Sequence, residues 1–247
     1  MTTLISQAST AEIFYPSEDG EPVAETYDHL YVLLVTLEVL RQYLEGRQAT
    51  VLGNQFLYYA QGYPRLRVAP DVMVIFDVPP GGRDNYKTWE EGQVPAVIFE
   101  MSSQGTKDQD QIFKKTLYEQ LGVKEYWLFD PRGEWVEGQL QGYRLRGEVY
   151  EPIEDGRSEP LQLRLQAEGR LIGFYREDNG EKLLIPGELA EALRQEVLAR
   201  QEAEAQIEAE RQRAEEERQR AEQAELQVAQ LKARLRSLGI DPDQENL

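Results

Sequence analysis

Three runs between Ala69 and Pro131 decide how this chain folds: APDVMVIF at residues 69–76, PAVIFEMSS at 95–103 and DQDQIFKKTLYEQLGVKEYWLFDP at 108–131. The first two are short, apolar and β-branched, and both are too short for helices, so they predict strands. Asp71 enters one strand and Glu100 leaves the other. Thr106 to Leu121 predicts a helix with Ile112, Leu117 and Leu121 on one face, charges on the other and Gly122 as its stop. Lys114 and Tyr118 then stand one turn apart. Glu125 to Asp130 supplies an aromatic-rich strand that ends at Asp130–Pro131.

Upstream, Gln48 to Ala60 reads as a further strand, kinked at Gly53. EPVAETYDHLYVLLVTLEVLRQYLEG, at 21–46, predicts a first helix from about Ala24 to Leu44, with Leu30, Leu33, Leu34, Leu37 and Leu40 as its apolar side. The resulting order is αβββαβ, an α/β core with a mixed sheet and helices on its faces.

Two carboxylates at adjacent strand ends can converge on one hard cation, and Mg²⁺ is typically held by one or two carboxylates together with water and substrate phosphate oxygens. A nearby ammonium can stabilise developing negative charge or position the attacking water. Asp71, Glu100 and Lys114 therefore suggest metal-assisted phosphodiester hydrolysis. The rival reading is two solvated strand-end acids and one exposed helix lysine. His29 is the only histidine and there is no cysteine, which excludes multi-histidine and thiolate metal sites as well as disulfides.

PD at Pro70–Asp71, E-x-S at Glu100–Ser102 and D-x-x-x-K-x-x-x-Y at Asp110–Tyr118, followed by GVKEYW, resemble the Uma restriction-endonuclease family. That family is a branch of the PD-(D/E)XK nuclease superfamily, and the resemblance spans roughly Phe14 to Leu184. It implies a restriction-endonuclease-like core and Mg²⁺-dependent cleavage of DNA, with Mn²⁺ as a substitute cation and Asp71 and Glu100 as metal ligands. The superfamily usually carries a lysine two residues after the second acid, where this chain has Ser102. Lys114 matches the position where the Uma family carries its lysine and is taken as the migrated equivalent. Lys115, about 100° round the helix, is the competitor, and only one of the two can easily face the acids. Asp110 could orient Lys114 from one turn away, or the two form an ordinary exposed pair. In the superfamily the first helix often supplies another acid, for which Glu25 is the candidate and Glu21 the alternative. Helix-start electrostatics accounts for acids there equally well. The resemblance also places a histidine near His29, but a lone helix histidine is more often a packing or hydrogen-bonding residue, so the expected catalytic set is Asp71, Glu100, Lys114 and Glu25.

The remaining segments bound the function. The loop at 79–93 offers one arginine, one lysine and two aromatics, and reads as an ordinary surface loop or, less readily, a substrate-facing one. Beyond Pro131, short alternating strands joined by glycine-containing turns form a β-hairpin extension that covers a sheet edge or pairs subunits. Trp135, Tyr143, Tyr150 and Tyr175 lie there, either as strand packing or as an aromatic surface. From Gly187 to Ser237 the chain reads as one long helix in which ERQRAEE at 210–216 is followed at once by ERQRAEQ at 217–223. Ile207, Ala214, Ala221, Val228 and Leu235 recur every seven residues, with Ala224, Leu231 and Leu238 as a second seam, predicting a coiled coil and a homo-oligomer. A solvated single helix held by Glu–Arg pairs is the alternative for Arg200 to Arg220. The expected division is a loose tail at 1–13, a nuclease-like domain at 14–186, a helical segment at 187–238 and a short tail at 239–247.

The chain has 247 residues and a net charge of −18. Gly187 to Leu247 holds 15 acidic and 9 basic residues, net −6, which leaves −12 on the preceding region. Such a balance opposes broad attraction to nucleic acid and predicts weak, salt-sensitive binding through a local basic strip. Neither a signal peptide nor a membrane-length apolar run is visible, so no membrane partner and a cytoplasmic location are expected. No GxxxxGK[ST] loop suggests nucleotide-driven work. Two classes of function stay open: a metal-dependent DNA endonuclease with a helical assembly tail, and a catalytically weak nuclease-fold protein used for binding or assembly. Another phosphate-processing enzyme on the same fold is a third.

Overall fold

The computed structural model describes residues 13–18, 20, 25–103 and 109–239, the side chains of residues 109–111 excepted. Thr26 starts the first helix, α1 (Tyr27–Tyr43), its hydroxyl accepting from the His29 amide at 3.4 Å and so satisfying one of the open N–H groups of the first turn. Val32, Leu33, Val35, Thr36, Val39 and Leu40 are buried on α1, while Leu30 and Leu34 are 47% and 50% exposed. The expected leucine face is thus turned partly outward. Valines and leucines three and four residues apart make an equally periodic face, and that is the one the sheet covers.

The expected strand from Gln48 to Ala60 is broken in two. β1 (Ala49–Gly53) ends where a side chain at Gly53 would lie 3.1 Å from Leu37 Cδ2, and Asn54 then turns the chain with φ 55°. β2 (Leu57–Tyr58) consequently joins a separate small sheet with β3 (Arg67–Val68) and, further on, β5 (Tyr86–Lys87). Between them β4 (Val72–Phe76) returns to the main sheet, and a short helix, α2 (Thr88–Glu91), leads to β6 (Val97–Met101). Residues 109–114 form a π-helical turn that runs into α3 (Lys115–Leu121), and Gly122, at φ 81°, ends the helix. The wider turn shifts residues before Lys114 out of α-helical phase, so Ile112 is 70% exposed while Leu117 and Leu121 pack on the core.

After β7 (Glu125–Phe129) a hairpin of β8 (Leu140–Arg146) and β9 (Val149–Ile153) completes a six-stranded sheet of order β1-β4-β6-β7-β8-β9. Only the β6–β7 pair is parallel, so the sheet is mixed and α1-β1-β4-β6-α3-β7 runs in the expected αβββαβ order. Strand alternation sorts the core into two faces. Val72, Val74, Val97, Phe99, Trp127 and Phe129 pack toward α1, whereas Met73, Ile75, Ile98, Tyr126 and Leu128 pack with Tyr118 of α3. The α1 face is completed by a second sheet of β10 (Arg157–Ser158), β11 (Leu163–Glu168) and β12 (Leu171–Arg176), where Phe174 meets Phe99 edge-on at 6.0 Å. Each fully buried aromatic of this kind contributes roughly 1.5–3 kcal/mol. Gly142 is required where it stands, opposite Trp127 in the β7–β8 register, because a Cβ there would meet the indole at 2.5 Å.

The chain divides into two units, Met1–Gly187 and Glu188–Leu247. The last helix, α4 (Pro186–Ser237), has 52 residues, none of them buried. Among the described residues no helix is long and apolar enough to cross a membrane. The expected end segments before Ile13 and after Gly239, and Glu21, lie outside the described residues.

Candidate active site

Antiparallel pairing of β4 with β6 sets Val72 opposite Phe99, and continuing that register by one residue sets Asp71 opposite Glu100. The Met101 amide, at the end of β6, donates to Asp71 Oδ2 at 2.6 Å. Both carboxyl groups are buried, Glu100 completely and Asp71 to 8% exposure. Carboxylates in such a place cost several kcal/mol each, to an order of magnitude, unless they are paired or hydrogen-bonded.

Two helices answer that demand, each with residues one turn apart. From α3 and the turn before it, Lys114 Nζ donates to Glu100 Oε2 at 2.8 Å and the Tyr118 hydroxyl donates to Glu100 Oε1 at 2.7 Å. Burial and the neighbouring Glu100 carboxylate push the Tyr118 phenol well above its ordinary range, so it stays protonated and acts as a donor. At the other end of the set stand Glu25, just before the Thr26 cap, and His29, in the first turn of α1. His29 Nε2 is 3.3 Å from Asp71 Oδ1 and 3.5 Å from Glu25 Oε2, yet it is buried with no aligned hydrogen bond. Burial disfavours the imidazolium, but the carboxylates of Asp71, Glu25 and Glu100 outweigh it and raise the His29 pKa.

One ligand atom from each of Glu25, His29 and Asp71 lies within 4.8 Å of the others. Two carboxylates and an imidazole make a donor set for a divalent cation: the oxygens suit Mg²⁺ and Mn²⁺, and the nitrogen tilts the preference toward Mn²⁺. His29 Nε2 is buried and lies within reach of both carboxylates.

The structure brings all four residues of the expected set, Asp71, Glu100, Lys114 and Glu25, into one region. The three-residue metal grouping contains Asp71 but has Glu25 and His29 in place of Glu100. Lys115 points elsewhere, its ammonium lying 3.5 Å from the centre of the Tyr143 ring, where burial lowers its pKa. The Asp110 side chain lies outside the described residues. His29 is the member that sequence reasoning left out, although its spacing of four from Glu25 on one helix is a legible signal that both share a face. The basic residues of the 79–93 loop are engaged within it: Arg83 with Glu91 at 2.9 Å and Lys87 with Glu90 at 3.1 Å. Half-buried Tyr143 and buried Tyr150 stack around Tyr126, and Tyr175 donates to Glu168.

Buried acids, a lysine and an imidazole thus meet on a mixed α/β core, and comparison with known proteins supplies the family. A family model named Uma2 and described as "Putative restriction endonuclease" matches residues 15–171, and the chain belongs to that family. A crystal structure described as "a putative nuclease belonging to DUF820 from Anabaena variabilis" aligns over 56% of this chain and 72% of that one, with 14% identity and a TM-score of 0.41. No curated protein matches the chain.

Proposed function

We propose that the protein is a metal-dependent endonuclease that hydrolyses DNA phosphodiester bonds, using Mg²⁺ or Mn²⁺. The observation that carries this reading is the convergence of Glu25, His29 and Asp71 beside the Lys114–Glu100–Tyr118 group. Glu25, His29 and Asp71 would hold the cation, and Glu100 borders the same site. A bound cation would polarise the phosphate and favour the leaving oxygen. Lys114 is placed to orient the attacking water or to stabilise charge that develops on the phosphate. Tyr118 fixes the rotamer of Glu100 and so the position of the Lys114 ammonium. The Met101 amide does the same for Asp71, leaving Oδ1 turned toward His29.

The helical unit supports assembly. Ile207, Val228, Leu231, Leu235 and Leu238 are exposed large apolar side chains on the heptad seams, and a second copy of the chain would cover them as a coiled coil. Sedimentation equilibrium tests this: Leu231→Asp with Leu235→Asp is expected to yield monomers.

The activity is tested by cleavage of supercoiled, linear and single-stranded DNA with Mg²⁺ or Mn²⁺ at low salt, comparing the intact chain with Asp71→Ala, Glu100→Ala, Lys114→Ala and His29→Ala. Metal-dependent cutting lost in all four variants is the expected result. No cutting, or cutting unchanged by the substitutions, would transfer the fold to a binding or assembly role.

A further inference from the structure

A groove leads away from the metal grouping. One cavity of about 200 Å³ is lined in part by Thr26, His29, Ser102, Arg132 and Trp135. A second, of about 490 Å³, is lined in part by Gln139, Gly169 and Arg170. Asp28, Pro131, Arg132 and Glu134 belong to both walls, so the two are neighbours.

Three side chains give this groove a chemical character. Ser102 is 3% exposed, and its Oγ has no hydrogen-bond partner among the described residues. A buried hydroxyl of this kind normally finds a partner, and Ser102 belongs to the wall of the first cavity. Arg132 and Arg170 both rest on one carboxylate, that of Asp28, next to His29 in sequence: Arg132 Nε donates to Oδ2 at 3.1 Å and Arg170 Nη1 to Oδ1 at 2.6 Å. Two cations share this one anion, and Glu134 stands in the same wall as a second acid. The arginine side chains are 49% and 68% exposed, so further guanidinium N–H groups remain accessible. The loop that carries Arg132 is itself held by Asp130, whose carboxylate accepts from the Arg132 amide at 2.9 Å and the Val136 amide at 3.2 Å. In a chain of net charge −18, this guanidinium pair brings the local balance of the second cavity to neutral, against Asp28 and Glu134.

We propose that Ser102, Arg132 and Arg170 form a subsite for a DNA backbone phosphate flanking the one attacked, in the groove that runs from His29 to Arg170. The identity of the ligand rests on the nuclease reading; the anion-binding chemistry rests on the arginine pair and the unpartnered hydroxyl. Guanidinium groups suit this task because their planar fork matches phosphate oxygens. Glu134 in the shared wall opposes the anion and keeps the subsite weak and sensitive to salt.

The test is binding of a duplex oligonucleotide to the full chain with Mg²⁺, in a Lys114→Ala background to stop cleavage, followed by fluorescence anisotropy over a range of salt. Arg132→Ala and Arg170→Ala are each expected to weaken low-salt binding about tenfold and to lower the slope of log Kd against log salt by about one. Arg170→Lys should retain the slope. Ser102→Ala should weaken binding with the slope unchanged, since a neutral donor displaces no counterion. If both arginines served only to tie their loops to α1, the alanine variants would lower the melting temperature and leave the slope intact, and the proposal would fall. Absence of DNA binding by the intact chain at low salt would also overturn it. Cleavage is scored separately: slope changes without any cutting by the intact chain sink the nuclease reading and keep the subsite, whereas cutting with unchanged slopes does the reverse.

Discussion

Opposite ends of the central sheet each bury a glutamate, and the two are surrounded very differently. At the start of β7, Glu125 is fully buried and saturated. Its Oε1 accepts from Arg144 Nε at 2.9 Å and from the Glu159 amide at 2.9 Å, and its Oε2 accepts from Trp127 Nε1 at 3.1 Å. At the end of β6, Glu100 also has donors on both oxygens, but Asp71 and Glu25 lie nearby with one lysine and one imidazole among the three acids. A structural site balances each charge with its own partners. An excess of acids held together by the fold is a configuration that a metal ion relieves, and for that reason function is read at the β6 end and packing at the β7 end.

The largest expected effect would separate the two ends outright. His29→Ala and Asp71→Ala should lower metal-dependent cleavage by about 10²-fold or more. Glu125→Gln should leave the cleavage rate close to that of the intact chain while lowering unfolding stability by about 3 kcal/mol in urea titrations. Comparable stability losses at Asp71 and Glu125, with no difference in rate, would erase the distinction.

A second expectation concerns the cation directly. Mn²⁺ at about 100 times its Kd should stabilise the intact chain by about 2.7 kcal/mol, seen as a rise in melting temperature. The rise should persist in Glu125→Gln and disappear in Asp71→Ala. Calorimetric titration with Mn²⁺ would check the same difference without heating. A smaller effect of opposite sign sharpens the contrast: Glu25→Gln removes one of the crowded acids, so the metal-free protein should gain about 0.5 kcal/mol while losing Mn²⁺ affinity.

A carboxylate belonging to neither end provides the mildest test. Hydrogen bonds from the Tyr175 hydroxyl, with further help from Gln166 and Lys182, outweigh burial and hold Glu168 at about 2, below its ordinary 4.5. The folded value is the lower one, so its stabilisation is complete above about 4.5 and disappears as pH falls toward 2. Glu168→Gln should therefore flatten the acid limb of stability in that window, measured by urea titration at stepped pH, with no effect on metal binding at neutral pH.

Much of this molecule was legible before its structure. The β-branched runs at 69–76 and 95–103 and the aromatic run at 124–130 announced the central strands because a strand buried on both faces needs little more than apolar, β-branched residues and an end signal. Asp71 and Glu100 were legible as chemistry because charged residues interrupt those runs at their ends, and Lys114 because it stands one turn before Tyr118 on the helix between the last two runs. Less visible was anything that depended on phase. A π-helical turn before Lys114 leaves no mark in the apolar pattern, so Ile112 was placed inward. Valine and leucine faces of α1 compete at similar spacing, so Leu30 and Leu34 were placed inward as well. His29 was set aside because a lone histidine has many uses, and only the approach of α1 to the start of β4 adds Asp71 to the Glu25 four residues before it.

The sequence by itself determined the αβββαβ order, the acids at the strand ends, the lysine on the helix that follows and the heptad pattern of the last helix, because each depends on local periodicity or residue type. Tertiary structure decided which of Lys114 and Lys115 meets Glu100, that Glu25 and His29 converge on Asp71, and that Arg132 and Arg170 share Asp28. Those contacts join residues separated by 14 to 142 positions. Long-range convergence of this kind is set by helix phase and strand register, quantities that a single residue's rotation or slip can overturn.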